Sequence, residues 1–261
     1  MDVIKSKDNK NIKYISKLIS SAKFRREEQK FVIEGVRLCT DAVKSSAIVD
    51  TFVYSESACS KYIDIVKEIS AVANNVICVD DRIFCAISDT KTPQGVLCVV
   101  KTLDKQSYFD KIRKNGIIVA LDNIQDPSNL GTILRSADAL GISGVVLSSD
   151  CCDIYSPKVC RGSMGAVFRI PFCITDDLAS FVKDFNNYGT SYACVLDETA
   201  VTIDKVSFNA PVLSVIGNEG NGVSQAVIDA CSKKLYIPMQ NNAESLNAAV
   251  AASIIMWEMI K

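Results

Sequence analysis

The stretch Lys233-Lys-Leu-Tyr-Ile-Pro-Met-Gln-Asn-Asn-Ala-Glu-Ser-Leu-Asn-Ala-Ala-Val-Ala-Ala-Ser-Ile-Ile-Met-Trp-Glu-Met259 decides how this chain is read. It predicts a short strand (Leu235 to Ile237), a polar loop (Gln240 to Glu244) and a helix from about Leu246. Ser245 stands at the N-cap position, where its hydroxyl can accept a hydrogen bond from an otherwise unpaired first-turn amide. Leu246, Val250, Ile254 and Trp257 recur at helical spacing, which predicts a buried stripe. Ala248, Ala249, Ala251 and Ala252 are small enough for a backbone or a ligand to come close. A strand end followed by a polar loop and a capped helix is a place where open α/β sheets hold ligands.

Working outward, two further loops follow presumed strands. Ile117-Ile-Val-Ala-Leu121 is an unalternated apolar run of the kind found in a central parallel strand. After it comes Asp122-Asn-Ile-Gln-Asp-Pro-Ser-Asn-Leu-Gly-Thr-Ile-Leu-Arg135, a loop running into a helix over Asn129 to Leu140. Asn129 and Arg135 lie not quite two turns apart, so both can reach one side of the helix start. Arg135 offers a planar fork of donors that suits a phosphate, and equally suits a bridging carboxylate. Strand Val212 to Ile216 leads into Gly217-Asn-Glu-Gly-Asn-Gly222, whose glycines permit tight turns with open amides. Glu219 has no core-packing reason to be there. The loop is neither a dinucleotide fingerprint nor a phosphate-binding loop, and a plain turn also explains its glycines.

The remaining pattern alternates strands and helices. Val145 to Leu147, Phe168 to Phe172 and Tyr192 to Leu196 read as strands. Pro157 to Met164 reads as a helix or turn, and Leu178 to Asn186 and Val223 to Ser232 as helices, giving a parallel sheet covered on both faces. A smaller α/β unit precedes it. Strands are expected at Phe31 to Gly35, Ile48 to Tyr54, Val76 to Val79 and Val96 to Val100, with helices over Val36 to Lys44 and Lys61 to Ala71. The expected domains are 1–101 and 116–261, joined by the polar segment 102–115, which has room for one short helix.

Residues 1–38 are locally basic and include Lys13, Arg25, Arg26 and Arg37. Ile4, Ile12, Ile15, Leu18 and Ile19 supply an apolar face behind the charge, so a helix with a cationic outer side is expected. That side serves either as solvated surface or as a phosphate contact. The whole chain of 261 residues has a net charge of −1, which excludes a uniformly basic coat but not a local patch.

Composition narrows the chemistry further. The chain has no histidine, so a Ser-His-Asp mechanism is impossible and any proton transfer needs another group. Eleven scattered cysteines form no CxxC pair, which predicts buried structural thiols in a reducing cytoplasm and no metal site. No apolar run is long enough to span a membrane, and the first residues lack a signal-peptide core.

Taken together, Asn129-x-Gly131-x-x-x-Arg135-x-Ala137, Ile216-Gly-Asn-Glu-Gly220, and Ile237-Pro-Met followed by Ser245-Leu-Asn247-x-x-x-Ala251 resemble the SpoU (TrmH) family of RNA ribose 2′-O-methyltransferases. The likeness covers roughly residues 117–261. Asn11-Ile-Lys13, Arg25 and Phe31-x-Ile33-Glu34-Gly35 resemble, more loosely, the small substrate-binding domain of the ribosomal-RNA members. The resemblance implies an α/β fold with a deep C-terminal trefoil knot, S-adenosylmethionine as cofactor, and a homodimer whose site draws on both subunits. It further implies a catalytic group of Asn129, Arg135, Glu219, Ser245 and Asn247, with Leu196, Gly217, Ile237, Met239 and Leu246 around the cofactor. Lys13, Arg25, Arg26 and Arg37 are the expected RNA contacts. Ribosomal RNA is the leading substrate, with transfer RNA or a non-catalytic RNA-binding role as alternatives. Base identity is set by loop shape and RNA fold rather than by these motifs.

Overall fold

The structure is a computed structural model that describes residues 3–103, 105–197, 199–240 and 245–261. The chain packs as two compact units. Unit 1 is 1–103 with 153–168; unit 2 is 104–152 with 169–261.

Unit 1 contains β1 (Val3–Ile4), α1 (Lys10–Ser20), α2 (Ala22–Glu28), β2 (Lys30–Glu34), α3 (Val36–Lys44) and β3 (Val49–Ser55). They are followed by α4 (Glu56–Lys61), α5 (Ile63–Val72), β4 (Asn75–Val79), α6 (Asp81–Ile87) and β5 (Val96–Lys101). The sheet order is β1-β4-β3-β5-β2, with β5 antiparallel to both neighbours. Ile12, Ile15 and Leu18 bury the inner face of α1 against Val32, Val53 and Leu97, as an apolar stripe at helical spacing should. Ile4, expected on the same helix, instead pairs with Val79 in the sheet. The expected helix over Lys61 to Ala71 is two helices, α4 and α5, broken at Tyr62.

Residues 153–168, expected in the larger domain, pack in unit 1. Phe31 meets Tyr155 at 4.5 Å and Phe168 at 6.2 Å between ring centroids. This segment carries α9 (Pro157–Ser163) and the start of α10 (Ala166–Arg169). The expected strand Phe168 to Phe172 is therefore a helical turn followed by a strand that begins at Phe172. Pro171 has no N–H to give a ladder, so pairing starts after it.

Unit 2 contains α7 (Gln106–Ile112), β6 (Ile117–Leu121), α8 (Pro127–Ala139), β7 (Gly144–Ser148), β8 (Phe172–Thr175) and α11 (Leu178–Phe185). Then come β9 (Thr190–Cys194), β10 (Val201–Thr202), β11 (Val212–Ile216), α12 (Gln225–Ala230), β12 (Lys233–Tyr236) and α13 (Ala248–Met259). The seven strands are all parallel, in the order β10-β12-β9-β11-β6-β7-β8. Segment 102–115 is not a free linker: Phe109 of α7 is fully buried with Ile118, Val146 and Val182 in the core.

The buried strands β6 and β11 lie side by side at the middle of the sheet. Connections leave this pair in opposite directions, toward β7 and β8 on one side and from β9 on the other. Such a reversal opens a crevice at the C-terminal strand ends, which is where ligands bind in sheets of this kind.

Candidate active site

The loop after β11 folds tightly on itself. Asn218 and Gly222 exchange backbone hydrogen bonds, both at 2.9 Å. A side chain on Gly217 would collide with the backbone of Gly222 and Val223, so only glycine fits. The Asn218 side chain accepts from the amides of Gly220 and Asn221 (2.9 and 3.0 Å) and donates to the Asn123 carbonyl at 2.8 Å. Asp122 ties the far end by accepting from the Ser224 amide at 2.7 Å. Asn218 and Asp122 were not among the predicted residues; a polar side chain inside each loop is the only sign the sequence carries of them.

This fold of the loop directs Glu219 onto the start of α8. Its carboxylate accepts the Gln125 amide (3.1 Å), the Asp126 amide (3.0 Å) and Asn129 Nδ2 (2.9 Å). Asn129, only 7% exposed, accepts in turn from Asn247 Nδ2 at 3.0 Å. Asn247 Oδ1 accepts from the Ala249 and Val250 amides at 2.9 and 3.3 Å. Donors therefore run in one direction, from the first turn of α13 through Asn247 and Asn129 to Glu219. That order fixes which way each amide side chain points. Partial burial raises the Glu219 pKa, but the Asn129 side chain and the Gln125 and Asp126 amides outweigh it and hold the carboxyl below its usual value.

Glu219 also lines a cavity of about 360 Å³ shared by Leu196, Gly217, Ile237, Met239, Ser245 and Leu246. All five predicted cofactor residues thus meet in one space, Leu196 from a position 69% exposed. No lysine or arginine lines it among the described residues. The Ser245 hydroxyl has no partner among the described residues.

Several expectations need correction. Asn247, not Ser245, caps the C-terminal helix, which starts at Ala248 rather than near Leu246. An asparagine can cap with its oxygen while donating to Asn129 with its nitrogen, which a serine hydroxyl cannot do over that span. The predicted buried stripe is the outer one. Val250 is 48% exposed and Trp257 53%, while Ala249, Ala252, Ile255 and Met256 face inward. The expected polar loop at 240–244 lies outside the described residues beyond Gln240. Arg135 is not drawn into the network: it is exposed on α8 and has no hydrogen-bond or ion-pair partner among the described residues. Six residues along a helix turn a side chain about 120° away from Asn129, so spacing alone did not place them together.

Among the expected RNA contacts, Arg25 is structural. It is 5% exposed, pairs with Asp153 at 2.7 Å, and donates to the carbonyls of Leu18 (2.6 Å) and Ile19 (2.9 Å), so no phosphate can reach it from solvent. Lys13 is exposed but paired with Asp8 at 2.7 Å, and Arg37 lies 4.0 Å from Asp41. Arg26 is exposed, and its guanidinium has no partner among the described residues. All eleven cysteines are free thiols, and the described residues contain no group of three or more His, Cys, Asp or Glu placed to hold a metal. No helix among the described residues is long and apolar enough to cross a membrane.

Residues 116–257, which carry the crevice, the glycine loop and the asparagine relay, match the SpoU rRNA methylase family model; the chain belongs to that family and is a methyltransferase. Residues 9–98 match an MRM3-like substrate-binding domain. The chain is 30% identical to the Bacillus subtilis 23S rRNA (guanosine(2553)-2′-O)-methyltransferase RlmP, over 99% of each chain. It is 29% identical to the human mitochondrial rRNA methyltransferase 3, covering 96% of this chain and 72% of that one. Among solved structures, the SpoU methyltransferase AviRb from Streptomyces viridochromogenes, in complex with AdoMet, superposes with a TM-score of 0.86 at 27% identity and 97% coverage of both chains. An AdoMet-bound rRNA methyltransferase from Sinorhizobium meliloti superposes with a TM-score of 0.84 at 27% identity, covering 99% of this chain and 97% of that one.

Proposed function

We propose that this protein transfers a methyl group from S-adenosylmethionine to a ribose 2′-hydroxyl of ribosomal RNA. The observation that carries the reading is the relay from α13 through Asn247 and Asn129 to Glu219, at a cavity lined by all five expected cofactor residues. The cavity's apolar walls suit an adenosine, and the absence of cationic side chains among its described lining residues suits a sulfonium. The cofactor supplies an electrophilic methyl. The chain's residues supply alignment, because an in-line displacement depends on the angle and distance at which the hydroxyl oxygen is held.

Glu219, kept ionised by its three donors, orients Asn129 toward the incoming ribose. Ser245 offers the hydroxyl one free hydrogen-bonding group in the same cavity. Arg135 supplies a planar fork of donors for an RNA phosphate. Exposed cations of unit 1, Arg26 first among them, hold the RNA backbone, and the division into unit 1 and unit 2 corresponds to binding and chemistry.

The outer face of α13 supports a homodimer. Val250, Ile254 and Trp257 line a groove of about 640 Å³ with Thr132 and Ser136 of α8. A twofold contact there would bring the partner's α8, and its Arg135, to this site. We further infer that β12 and α13 thread an earlier loop as the family's knot, and that the protein works in the cytoplasm. Transfer RNA is the weaker reading. A TrmH/SpoU tRNA modifying enzyme from A. aeolicus matches with a TM-score of 0.50 over 60% of this chain, whereas the rRNA relatives span both units.

The test is radiolabelled methyl transfer to ribosomal RNA from a strain lacking the gene, followed by mapping of 2′-O-methyl sites. Label in one 23S ribose is expected. No transfer to total RNA by protein shown to bind S-adenosylmethionine would sink the reading. Sedimentation of the protein and of Trp257→Asp tests the dimer, with a dimer expected for the first and a monomer for the second.

A further inference from the structure

Four consecutive amides after β6 are each accepted by a side chain from another loop. Asn123 N–H donates to Ser148 Oγ at 2.8 Å, and Ile124 N–H to Cys151 Sγ at 3.3 Å. The next two, Gln125 and Asp126, donate to the two oxygens of Glu219. Half of this loop is thus held by the relay and the other half by the turn that ends β7. That turn is braced in its own right. Ser148 Oγ donates to the Asp150 carboxylate, and Cys151 Sγ donates to the Leu121 carbonyl at 3.4 Å. Gln125 Nε2 donates to the Asp150 carbonyl at 2.6 Å, and Cys152 N–H to the Ile124 carbonyl at 2.8 Å. Between them Asn123 adopts φ +56°, a left-handed conformation that asparagine accepts more readily than most non-glycine residues.

We infer that Ser148 and Cys151 are positioning residues for methyl transfer, setting the loop whose amides orient Glu219 and, through it, Asn129. The inference rests on the methyltransferase reading above. Neither side chain lines the cofactor cavity or the α8–α13 groove, so neither touches cofactor, and their effect reaches the reaction only through the loop. Each contributes a specific pair of functions. The Ser148 hydroxyl accepts one amide and donates to one carboxylate; the Cys151 thiol accepts one amide and donates to one carbonyl. Serine at 151 keeps both functions, and valine keeps neither while filling similar space.

The experiment compares Ser148→Ala and Cys151→Val with the conservative Ser148→Thr and Cys151→Ser in the full-length protein. Methyl transfer, S-adenosylmethionine affinity and the carbon-13 titration of the Glu219 carboxyl are measured together. The first pair should lose about 10- to 100-fold in kcat, the scale of a reacting group misplaced by an ångström. Their S-adenosylmethionine affinity should stay within about twofold, and the Glu219 titration should move upward; the conservative pair should recover most of the loss. The titration needs no turnover. If wild-type protein proves inert toward RNA yet Glu219 shifts upward in Ser148→Ala and Cys151→Val, the loop inference stands and the substrate reading falls. A wild type that methylates RNA, with variants of equal kcat or an unmoved Glu219 titration, overturns the inference. Equal losses in conservative and non-conservative variants, or losses that only track melting temperature, overturn it as well.

Discussion

The loop cluster of unit 2 and the basic surface of unit 1 are both rich in polar residues, but they are built on opposite principles. In unit 2 short side chains make directional bonds in a fixed order, and Asn129, Glu219 and Asn247 have their partners at about 3 Å. In unit 1 long cationic chains are spent in different ways. Arg25 is locked inside, Lys13 and Lys30 pair with Asp8 and Asp50, and Lys17 lies 4.1 Å over the Phe24 ring. A charge seen in sequence therefore counts as a binding charge only after its neighbours are known. An amide or carboxylate between two glycines is harder to absorb into ordinary packing.

The sharpest way to break this contrast is Glu219→Ala. It leaves two amides and the Asn129 side chain without their acceptor, while Glu219 itself is exposed. The expected loss is roughly 10²- to 10³-fold in kcat, comparable to removing a preorganised polar group from other active sites. Melting temperature should barely change. A variant within about threefold of wild type would mean that the relay is scaffold rather than machinery.

Arg25→Met reverses the pattern. It strips a buried guanidinium from Asp153 and two carbonyls, so stability should fall by about 3 kcal/mol in chemical denaturation. RNA affinity of the folded fraction should stay near that of wild type. A large, selective loss of RNA binding without destabilisation would return Arg25 to the binding surface.

Acid sharpens the same comparison. The Glu219 pKa is lowered in the folded protein, so its interactions contribute fully above the ordinary carboxyl value and are lost as pH falls through the lowered one. Activity measured at constant folded fraction should therefore keep its Glu219-dependent part below pH ~4.3, where an ordinary glutamate is already half protonated. In Asn129→Ala, which removes one donor to the carboxylate, the acid limb should move upward. An unmoved limb would show that Glu219 does not govern it.

The sheet was legible because it is written in one unambiguous signal. Ile117–Leu121 is apolar without alternation and Val212–Ile216 is apolar but for the buried Ser214, and both became central strands with the predicted bounds. The three loops followed from them, since parallel strands gather their C-terminal ends on one edge. The face of α13 was not legible. Alanine, valine, isoleucine, methionine and tryptophan surround it on every side, so helical spacing gave a period but no direction. Ser245 and Asn247 are both good caps two residues apart, and only the bond to Asn129, far away in sequence, separates them. Arg25 failed for the same reason: Asp153 is 128 residues distant, and no local pattern links them.

The smallest expected effect tests what remains of the basic surface. Arg26 is exposed with no partner for its guanidinium among the described residues, whereas Lys13 already holds Asp8 at 2.7 Å. A phosphate approaching Lys13 competes with a carboxylate; one approaching Arg26 competes only with water. Removing a real phosphate contact lowers affinity and flattens the salt dependence together, by about 0.7 in log–log slope for each contact to single-stranded RNA. Arg26→Ala should therefore reduce RNA affinity a few-fold at low salt and flatten the slope by roughly that amount. Lys13→Ala should flatten it less, because its pairing with Asp8 already offsets much of the attraction it offers a phosphate. Equal slopes for both variants and wild type, measured by filter binding across a salt series, would mean that unit 1 grips RNA with cations other than these two.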